Sequence, residues 1–140
     1  MISILLDTDV CLDSITGREP WNANADRIFH ASVEKEVYIF ISGLTFSNLY
    51  YLLRKIHGSR KTIKRLRAMR DLIKVSPINS KVVDQAFDSS WNDFEDAMQY
   101  HSALKAGCDL LVTRNLSDYK KADRIPVIQP SGFIEQHLKR

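Results

Sequence analysis

Short apolar runs alternate along the chain with longer amphipathic stretches. The runs ISILL, VYIFIS and DLLV turn polar at once and are rich in aliphatic, β-branched and aromatic residues, which predicts buried strands at Ile2–Leu6, Val37–Ser42 and within CDLLVTR. Two shorter runs, IKVSP and PVIQ, predict further strands. Because mostly apolar strands separated by helices are typical of parallel sheets, we expect an α/β sandwich whose central sheet has four to five mostly parallel strands.

The stretches between the strands have the spacing of amphipathic helices. Such helices are predicted over residues 8–15, 24–35, 44–56, 60–70, 80–88, 92–106 and in PSGFIEQHL. Ser80 is the predicted cap of one helix, and Gly107 ends another as a glycine C-cap does. In the helix over 60–70, the predicted core face consists of Ile63, Leu66, Met69 and, just beyond it, Ile73. No repeat or linker interrupts this pattern, so we expect a single domain over residues 1–140.

Composition narrows the class of protein. The chain has 140 residues and is 44% hydrophobic, which is enough for one real core. No apolar run approaches the roughly 20 residues that span a bilayer, so we expect a cytoplasmic protein without a membrane partner. The two cysteines, Cys11 and Cys108, form no metal-binding spacing and are expected to remain buried thiols.

The net charge of +3 hides an asymmetry. Eight basic residues and no acidic one lie between Leu53 and Arg70, which leaves 12 basic and 17 acidic residues elsewhere, a balance of −5. A basic helix can follow a nucleic-acid backbone, but it can equally be a solvated face or a docking surface for an acidic partner. The candidate RNA-binding residues on it are Arg60, Lys61, Lys64 and Arg65.

Polar residues follow the predicted strands where each strand ends. Asp7 directly follows the first strand, and Asn115 and Asp118 come just after LLVTR. Asp93 and Asp96 lie in the predicted first turn of the helix over 92–106, on one face of it. Because ligands of parallel α/β sheets bind beyond the carboxyl ends of the strands, we expect these acidic positions to converge.

Crowded carboxylates repel one another unless a cation neutralises them. Mg²⁺ and Mn²⁺ prefer oxygen ligands, lower the pKa of bound water and stabilise charge on a phosphate. Taken singly, each of these acids could instead be a helix cap, a helix-end charge or a loop residue. Asp9 is expected to be a cap or a residue that supports a ligand, and Asp13 an ordinary helical charge.

Three blocks of sequence together resemble the PIN domain, the fold of VapC-like ribonucleases. LLDTDVCLD is similar to the opening strand of that family, DFEDAMQYHSALKAGCDLLVTRN to its central block, and TRNLSDY followed by IPVIQPSGFI to its closing block. The family's polar and acidic positions then correspond to Asp7, Asp93, Asp96, Thr113, Asn115 and Asp118.

The resemblance implies a PIN-like α/β/α sandwich and hydrolysis of RNA phosphodiester bonds. It implies that Asp7, Asp96 and Asp118 are catalytic and hold Mg²⁺ or Mn²⁺ with Asp93, while Thr113 and Asn115 order the carboxylates or a water. VapC-like ribonucleases are often toxins of type II toxin–antitoxin pairs, so the resemblance also implies a cognate antitoxin and a homodimer.

One position departs from the family pattern. A glutamate is usual on the helix after the second strand, and Asn48 stands there, as in a subset of PIN-like proteins with a Tyr-rich helix such as NLYYLLRK. Asn48 offers an oxygen but no charge, so we expect weaker cation binding, or one metal where two could sit. Glu95 is expected not to compensate, because it points about 100° around the helix from Asp96.

Two other functions stay open. A degenerate PIN domain could bind RNA or a protein partner without cleavage, and Asn48 favours that reading. The segment DTDV also matches the DxDx(T/V) signature of haloacid-dehalogenase-like phosphatases, in which the first aspartate is a nucleophile, but the later elements of that family are poorly matched here.

Overall fold

The computed structural model describes residues 1–139. The five strands are β1 Ile2–Leu6, β2 Val37–Ser42, β3 Lys74–Ser76, β4 Leu110–Val112 and β5 Val127–Ile128. The seven α-helices within the described residues are α1 Thr8–Thr16, α2 Asn22–Val33, α3 Gly43–His57, α4 Ser59–Arg70, α5 Ser80–Asp88, α6 Phe94–Ala106 and α7 Pro130–His137.

The strands form one sheet in the order β3-β2-β1-β4-β5, and every neighbouring pair is parallel. Strand β1 lies at the centre, where Ile4 pairs with Ile39 of β2 and with Leu110 of β4. The predicted α/β class with a parallel sheet of four to five strands is therefore confirmed. Since all five strands are parallel, their carboxyl ends lie at one edge of the sheet, as the site prediction requires.

The side chains of β1 alternate between two hydrophobic cores, as the period of a strand dictates. Ile4 and Leu6 pack with α1, α2, α3, α4 and α7 in the larger core. Leu5 points to the opposite face and packs against Tyr100 and Ala103 of α6. Helices thus cover both faces of the sheet, which confirms the α/β/α arrangement.

Three local expectations were wrong. The predicted core face of α4 is buried at Leu66, Met69 and Ile73, but Ile63 is 55% exposed and Thr62 is buried in its place. The cap of α5 is Asn79, whose side chain accepts from the Val82 N–H at 3.0 Å. The polar sequence NLSDYKKADRI predicts a loop after β4, but the segment contains a short 3-10 helix over Leu116–Tyr119.

The predicted C-cap at Gly107 and the predicted buried thiols agree with the structure. Gly107 ends α6 in the left-handed conformation with φ 76°, which a residue without Cβ adopts freely. Cys11 and Cys108 are buried free thiols. Within residues 1–139, no helix has the length and apolar character needed to cross a membrane.

Candidate functional site

Asp7 stands where strand β1 passes into helix α1. Its backbone N–H donates to the carbonyl of Val112 at 3.0 Å, so the residue still belongs to the end of the sheet. Its side chain caps α1, with Oδ1 accepting from the Thr8 N–H at 2.8 Å. The sequence thus places a carboxylate at the end of the central strand and at the positive end of a helix dipole.

Three further side chains fix the Asp7 carboxylate. The Thr113 hydroxyl and the Tyr119 hydroxyl donate to Oδ2 at 2.9 and 3.1 Å, and the Gln99 amide donates to Oδ1 at 3.1 Å. Asp7 itself is 8% exposed. Donors from the residue after β4, from the 3-10 helix and from α6 therefore hold one nearly buried carboxylate in a single orientation.

Asp7 lies in a cleft of about 450 Å³ at the carboxyl edge of the sheet. We call it the acidic cleft; its lining residues are Asp7, Thr8, Asp9, Leu12, Asn48, Tyr51, Leu52, Glu95, Asp96, Gln99 and Asn115. Four of these side chains are carboxylic acids, and none of the described lining residues is Lys, Arg or His. The predicted convergence of acids at this edge is thus present for Asp7 and Asp96.

The electrostatics of the cleft reflect this crowding. Burial and then the charge of Asp7 raise the pKa of Asp9 to about 6. Burial, followed by the charges of Asp7, Asp93 and Asp118, raises the pKa of Asp96 to about 7. Burial and then the charges of Asp7 and Asp96 raise the pKa of the Tyr119 phenol, which therefore stays a proton donor at neutral pH. Unneutralised negative charge here is unfavourable, and a cation would relieve it.

The remaining predicted acids lie beside the cleft. Asp93 is the N-cap of α6, not a residue of its first turn, and its Oδ1 accepts from the Asp96 N–H at 3.0 Å. Asp118 is exposed on the 3-10 helix. Both line a neighbouring depression of about 190 Å³ together with Trp91 and Lys121. Their charges reach Asp96, but their side chains do not line the acidic cleft.

The predicted supporting residues are present at the site. Thr113 is buried, and its hydroxyl donates to Asp7 and accepts from the Asn115 N–H at 3.0 Å. Asn115 and Asn48 line the acidic cleft. The Asn48 amide donates to Oε1 of Glu95. Glu95 also lines the cleft, a position that was not expected from its angle to Asp96 around the helix.

Sequence reasoning missed Gln99 and did not place Asp9 in the cleft lining. Gln99 is buried and donates to the Thr45 hydroxyl at 2.8 Å as well as to Asp7. Asp9 lines the cleft, accepts from the Arg114 N–H at 3.1 Å and leaves its buried Oδ1 without a hydrogen-bond partner among the described residues. The one available signal was the short spacing of the acids in DTDVCLD.

Asp13 is a buried ion-pair partner and not an ordinary helical charge. It is 1% exposed and accepts from Arg114 Nε at 2.6 Å and from Arg114 Nη2 at 3.1 Å. The guanidinium also lies 4.0 Å from the centre of the Trp21 ring. This Arg114–Asp13 pair ties the segment after β4 to helix α1, next to the acidic cleft.

The basic residues of α4 stand apart from the cleft lining. Arg60, Lys61, Lys64 and Arg65 are all exposed. Arg65 donates to the carbonyl of Ile15 at 3.2 Å, which anchors α4 to the end of α1. Their role in RNA binding stays a prediction.

The acidic cleft is better suited to a divalent cation that keeps its waters than to one bound directly by several side chains. Among residues 1–139, no three His, Cys, Asp or Glu side chains are arranged to hold a metal ion directly. The donors are nevertheless all oxygen or amide groups, two carboxyl groups have raised pKa values, and Asp9 Oδ1 is unpartnered. Mg²⁺ keeps several waters and needs only one or two carboxylates, so these residues are compatible with it.

Comparison with known proteins identifies the family. The profile of the PIN domain family matches residues 3–117, and the chain therefore belongs to the PIN domain family. It is similar to ribonuclease VapC1 of Aquifex aeolicus (strain VF5), with 22% identity over 138 residues that cover 95% of this chain and 94% of that protein. The resemblance expected from the three sequence blocks is confirmed.

Solved structures share the fold. One is DNA-bound VapBC from Salmonella typhimurium, with a TM-score of 0.72, 17% identity and coverage of 93% of this chain and 99% of that chain. Another is VapC20 from Mycobacterium tuberculosis, described as a toxin that cleaves the sarcin–ricin loop, with a TM-score of 0.60, 18% identity and coverage of 77% and 86%. Because the chain belongs to the PIN family, DTDV is better interpreted as part of the opening segment of that family than as a phosphatase signature.

Proposed function

We propose that this protein is a Mg²⁺- or Mn²⁺-dependent endoribonuclease that hydrolyses RNA phosphodiester bonds. The observation that carries the proposal is the acidic cleft in a chain of the PIN family: a carboxylate fixed by four donors, with further acids whose pKa values are raised beside it. Such a site attracts a hard cation, and a cation is what an anionic phosphodiester needs in order to approach it.

Each proposed residue has a distinct role. Asp7 and Asp96 would hold the cation in the cleft, and Asp118 and Asp93, which lie beside the cleft, would bind its waters. A bound cation would supply a more acidic water and stabilise charge on the phosphate. Thr113 and Tyr119 keep the Asp7 carboxylate oriented by donating to Oδ2. Asn115, which is exposed at the rim of the cleft, is placed to hydrogen-bond a water or the substrate.

We also propose that the protein is the toxin of a type II toxin–antitoxin pair, with a cognate antitoxin and a homodimeric state. Support for a toxin role comes from the similarity to the VapC20 structure, and support for a toxin with a partner comes from the similarity to the VapBC structure. The homodimer rests on the family resemblance alone. Discovery of a short reading frame next to the gene, whose product copurifies with this chain and blocks its activity, would test the pairing. A lone gene and a monomer in solution would count against it.

The activity test uses a labelled RNA hairpin, with a sarcin–ricin loop RNA as a second substrate. We expect cleavage with Mn²⁺ and none with EDTA, and a loss of roughly a hundredfold or more in Asp7→Asn and Asp96→Asn. Asparagine is as good an N-cap as aspartate, so Asp7→Asn removes the charge and preserves the start of α1. Asp84→Asn, an exposed acid on α5, is the matched control and should cleave like wild type.

A second function, RNA or partner binding without cleavage, is favoured by two observations. Asn48 carries no charge, and no three acids within residues 1–139 form a ready metal site. Equal inertness of the wild type and both variants, with RNA binding retained, would establish this function and refute the nuclease.

A further inference from the structure

Asn48 and Glu95 meet across the mouth of the acidic cleft. Asn48 lies on α3 and is partly buried, while Glu95 lies in the first turn of α6 and is exposed. The amide nitrogen of Asn48 donates to Oε1 of Glu95. Both residues line the cleft with Asp7, Asp9 and Asp96.

A second contact between the same helices lies below this pair. Thr45, one turn before Asn48, accepts a hydrogen bond from Gln99, one turn after Glu95, at 2.8 Å. Gln99 also accepts from Ser42, and its amide reaches Asp7 at 3.1 Å. Residues four apart share a helix face, so Glu95 lies above Gln99 on the face of α6 that looks into the cleft. The 100° angle from Asp96 therefore separates two residues that both line it.

The pair sets the orientation of the Glu95 carboxylate. Oε1 is engaged by Asn48, which leaves Oε2 of this cleft-lining residue available as an acceptor. Because Asn48 donates through nitrogen, its own carbonyl oxygen also remains an acceptor. The neutral Asn48 of α3 thus holds the charged Glu95 of α6. The carboxylate that α3 lacks at this position is supplied by α6.

We propose that Glu95 supplies a further negative charge to the cation site of the acidic cleft, and that Asn48 is the positioning residue that holds it there. Resting on the proposed function, the inference assigns to Glu95 a role as ligand of Mg²⁺ or Mn²⁺ or of a water bound to it. The charge that Asn48 lacks is relocated to the opposite wall of the cleft.

Mn²⁺ titration calorimetry of the intact protein tests this without requiring activity. Glu95→Gln should weaken Mn²⁺ binding by about tenfold or more, the range found when groups around a metal are removed. Asn48→Ala should weaken it less, because Glu95 keeps its charge and loses its orientation. The double variant Asn48→Glu/Glu95→Gln, which moves the charge to α3, should restore most of the affinity.

Glu135→Gln is the matched control, since Glu135 is an exposed glutamate on α7 and is not part of the cleft lining. Thermal unfolding confirms that each variant folds; Glu95 is exposed, so Glu95→Gln leaves the core intact. The inference is overturned if Glu95→Gln binds Mn²⁺ as tightly as Glu135→Gln, or if the transposed variant binds no better than Glu95→Gln.

Hairpin cleavage by the same variants separates this inference from the proposed function. If the wild type cleaves with Mn²⁺, Asp96→Asn does not, and Glu95→Gln matches the wild type in cleavage and affinity, the ribonuclease stands and the role of Glu95 falls. If the wild type neither binds Mn²⁺ nor cleaves, both fall.

Discussion

Neutralising Asp96 should make the metal-free protein more stable. The pKa of Asp96 is raised from 3.8 to about 7, first by burial and then by the charges of Asp7, Asp93 and Asp118. Because the folded protein binds this proton more tightly than the unfolded chain, its stability falls as the pH rises from about 4 to about 7. The full penalty is present above pH 7 and absent below the unfolded pKa.

The size of the penalty follows from the pKa difference. Each tenfold change in proton affinity corresponds to about 1.4 kcal/mol, so an unscreened difference of this size would cost about 4 kcal/mol. Asp96 is only partly buried, and solvent screens its interactions. We therefore expect Asp96→Asn to gain about 1–2 kcal/mol at pH 8, which for a chain of this length raises Tm by roughly 3–8 °C.

Thermal unfolding in EDTA, at about pH 8 and about pH 5, measures this effect. The advantage of Asp96→Asn should shrink at the lower pH, where the wild-type carboxyl group is largely protonated. Asn keeps an acceptor for the Tyr119 hydroxyl, which lies 3.4 Å from Asp96 Oδ1. Asp84→Asn, on the exposed face of α5, should leave Tm unchanged at both values.

Mn²⁺ provides the reciprocal check. A cation that binds only the folded state raises Tm, and the wild type should gain more than Asp96→Asn because it retains the carboxylate. A variant less stable than the wild type at pH 8, or one whose advantage is the same at both pH values, would refute the argument that repulsion in the cleft opposes folding.

Three more changes probe the supporting structure. Arg114→Ala leaves the buried Asp13 without its bidentate partner and should cost about 3 kcal/mol in urea unfolding; a loss below about 1 kcal/mol would contradict a tight pair. Tyr119→Phe removes a donor to two cleft carboxylates but keeps the ring 5.6 Å from Trp91, so Mn²⁺ affinity by calorimetry should fall about tenfold while stability changes by about 1 kcal/mol; unchanged affinity would exclude its role. The substitutions Arg60→Glu, Lys61→Glu and Lys64→Glu reverse the charge of the exposed basic face of α4. They should weaken RNA binding and make it less dependent on salt, without changing Tm. An unaltered salt dependence would show that this face is only a solvated surface.

The sheet and the position of Asp7 could be predicted because both depend on local pattern. The run Ile2–Leu6 is apolar and turns acidic at once, and carboxyl ends of parallel strands share an edge. Helix ends were less predictable: Asn79 caps α5 in place of Ser80, and Asp93 lies outside α6 as its cap. Two adjacent residues that can each cap a helix are not distinguished by propensity alone.

The rest of the site depends on tertiary packing, which a single sequence does not reveal. Gln99 is an ordinary helix residue until α6 packs beside α3, where its amide meets Thr45 and Asp7. Asp13 resembles a surface charge until Arg114, 101 residues away, covers it. Glu95 does lie about 100° around α6 from Asp96, as predicted. Both residues nevertheless line the cleft, which the helical angle alone does not reveal.

The Arg114–Asp13 pair and the Thr113–Asp7 hydrogen bond connect residues 101 and 106 positions apart. These contacts beside the acidic cleft thus close very long loops, and ordering such a loop costs entropy before any contact repays it. A growing polypeptide that has not yet reached Thr113 lacks two of the four donors that orient Asp7, the hydroxyls of Thr113 and Tyr119. The set of donors that orients Asp7 is therefore complete only when most of the chain has been made. The paired strands β1 and β2, which form part of the hydrophobic framework, lie within the first third of the sequence.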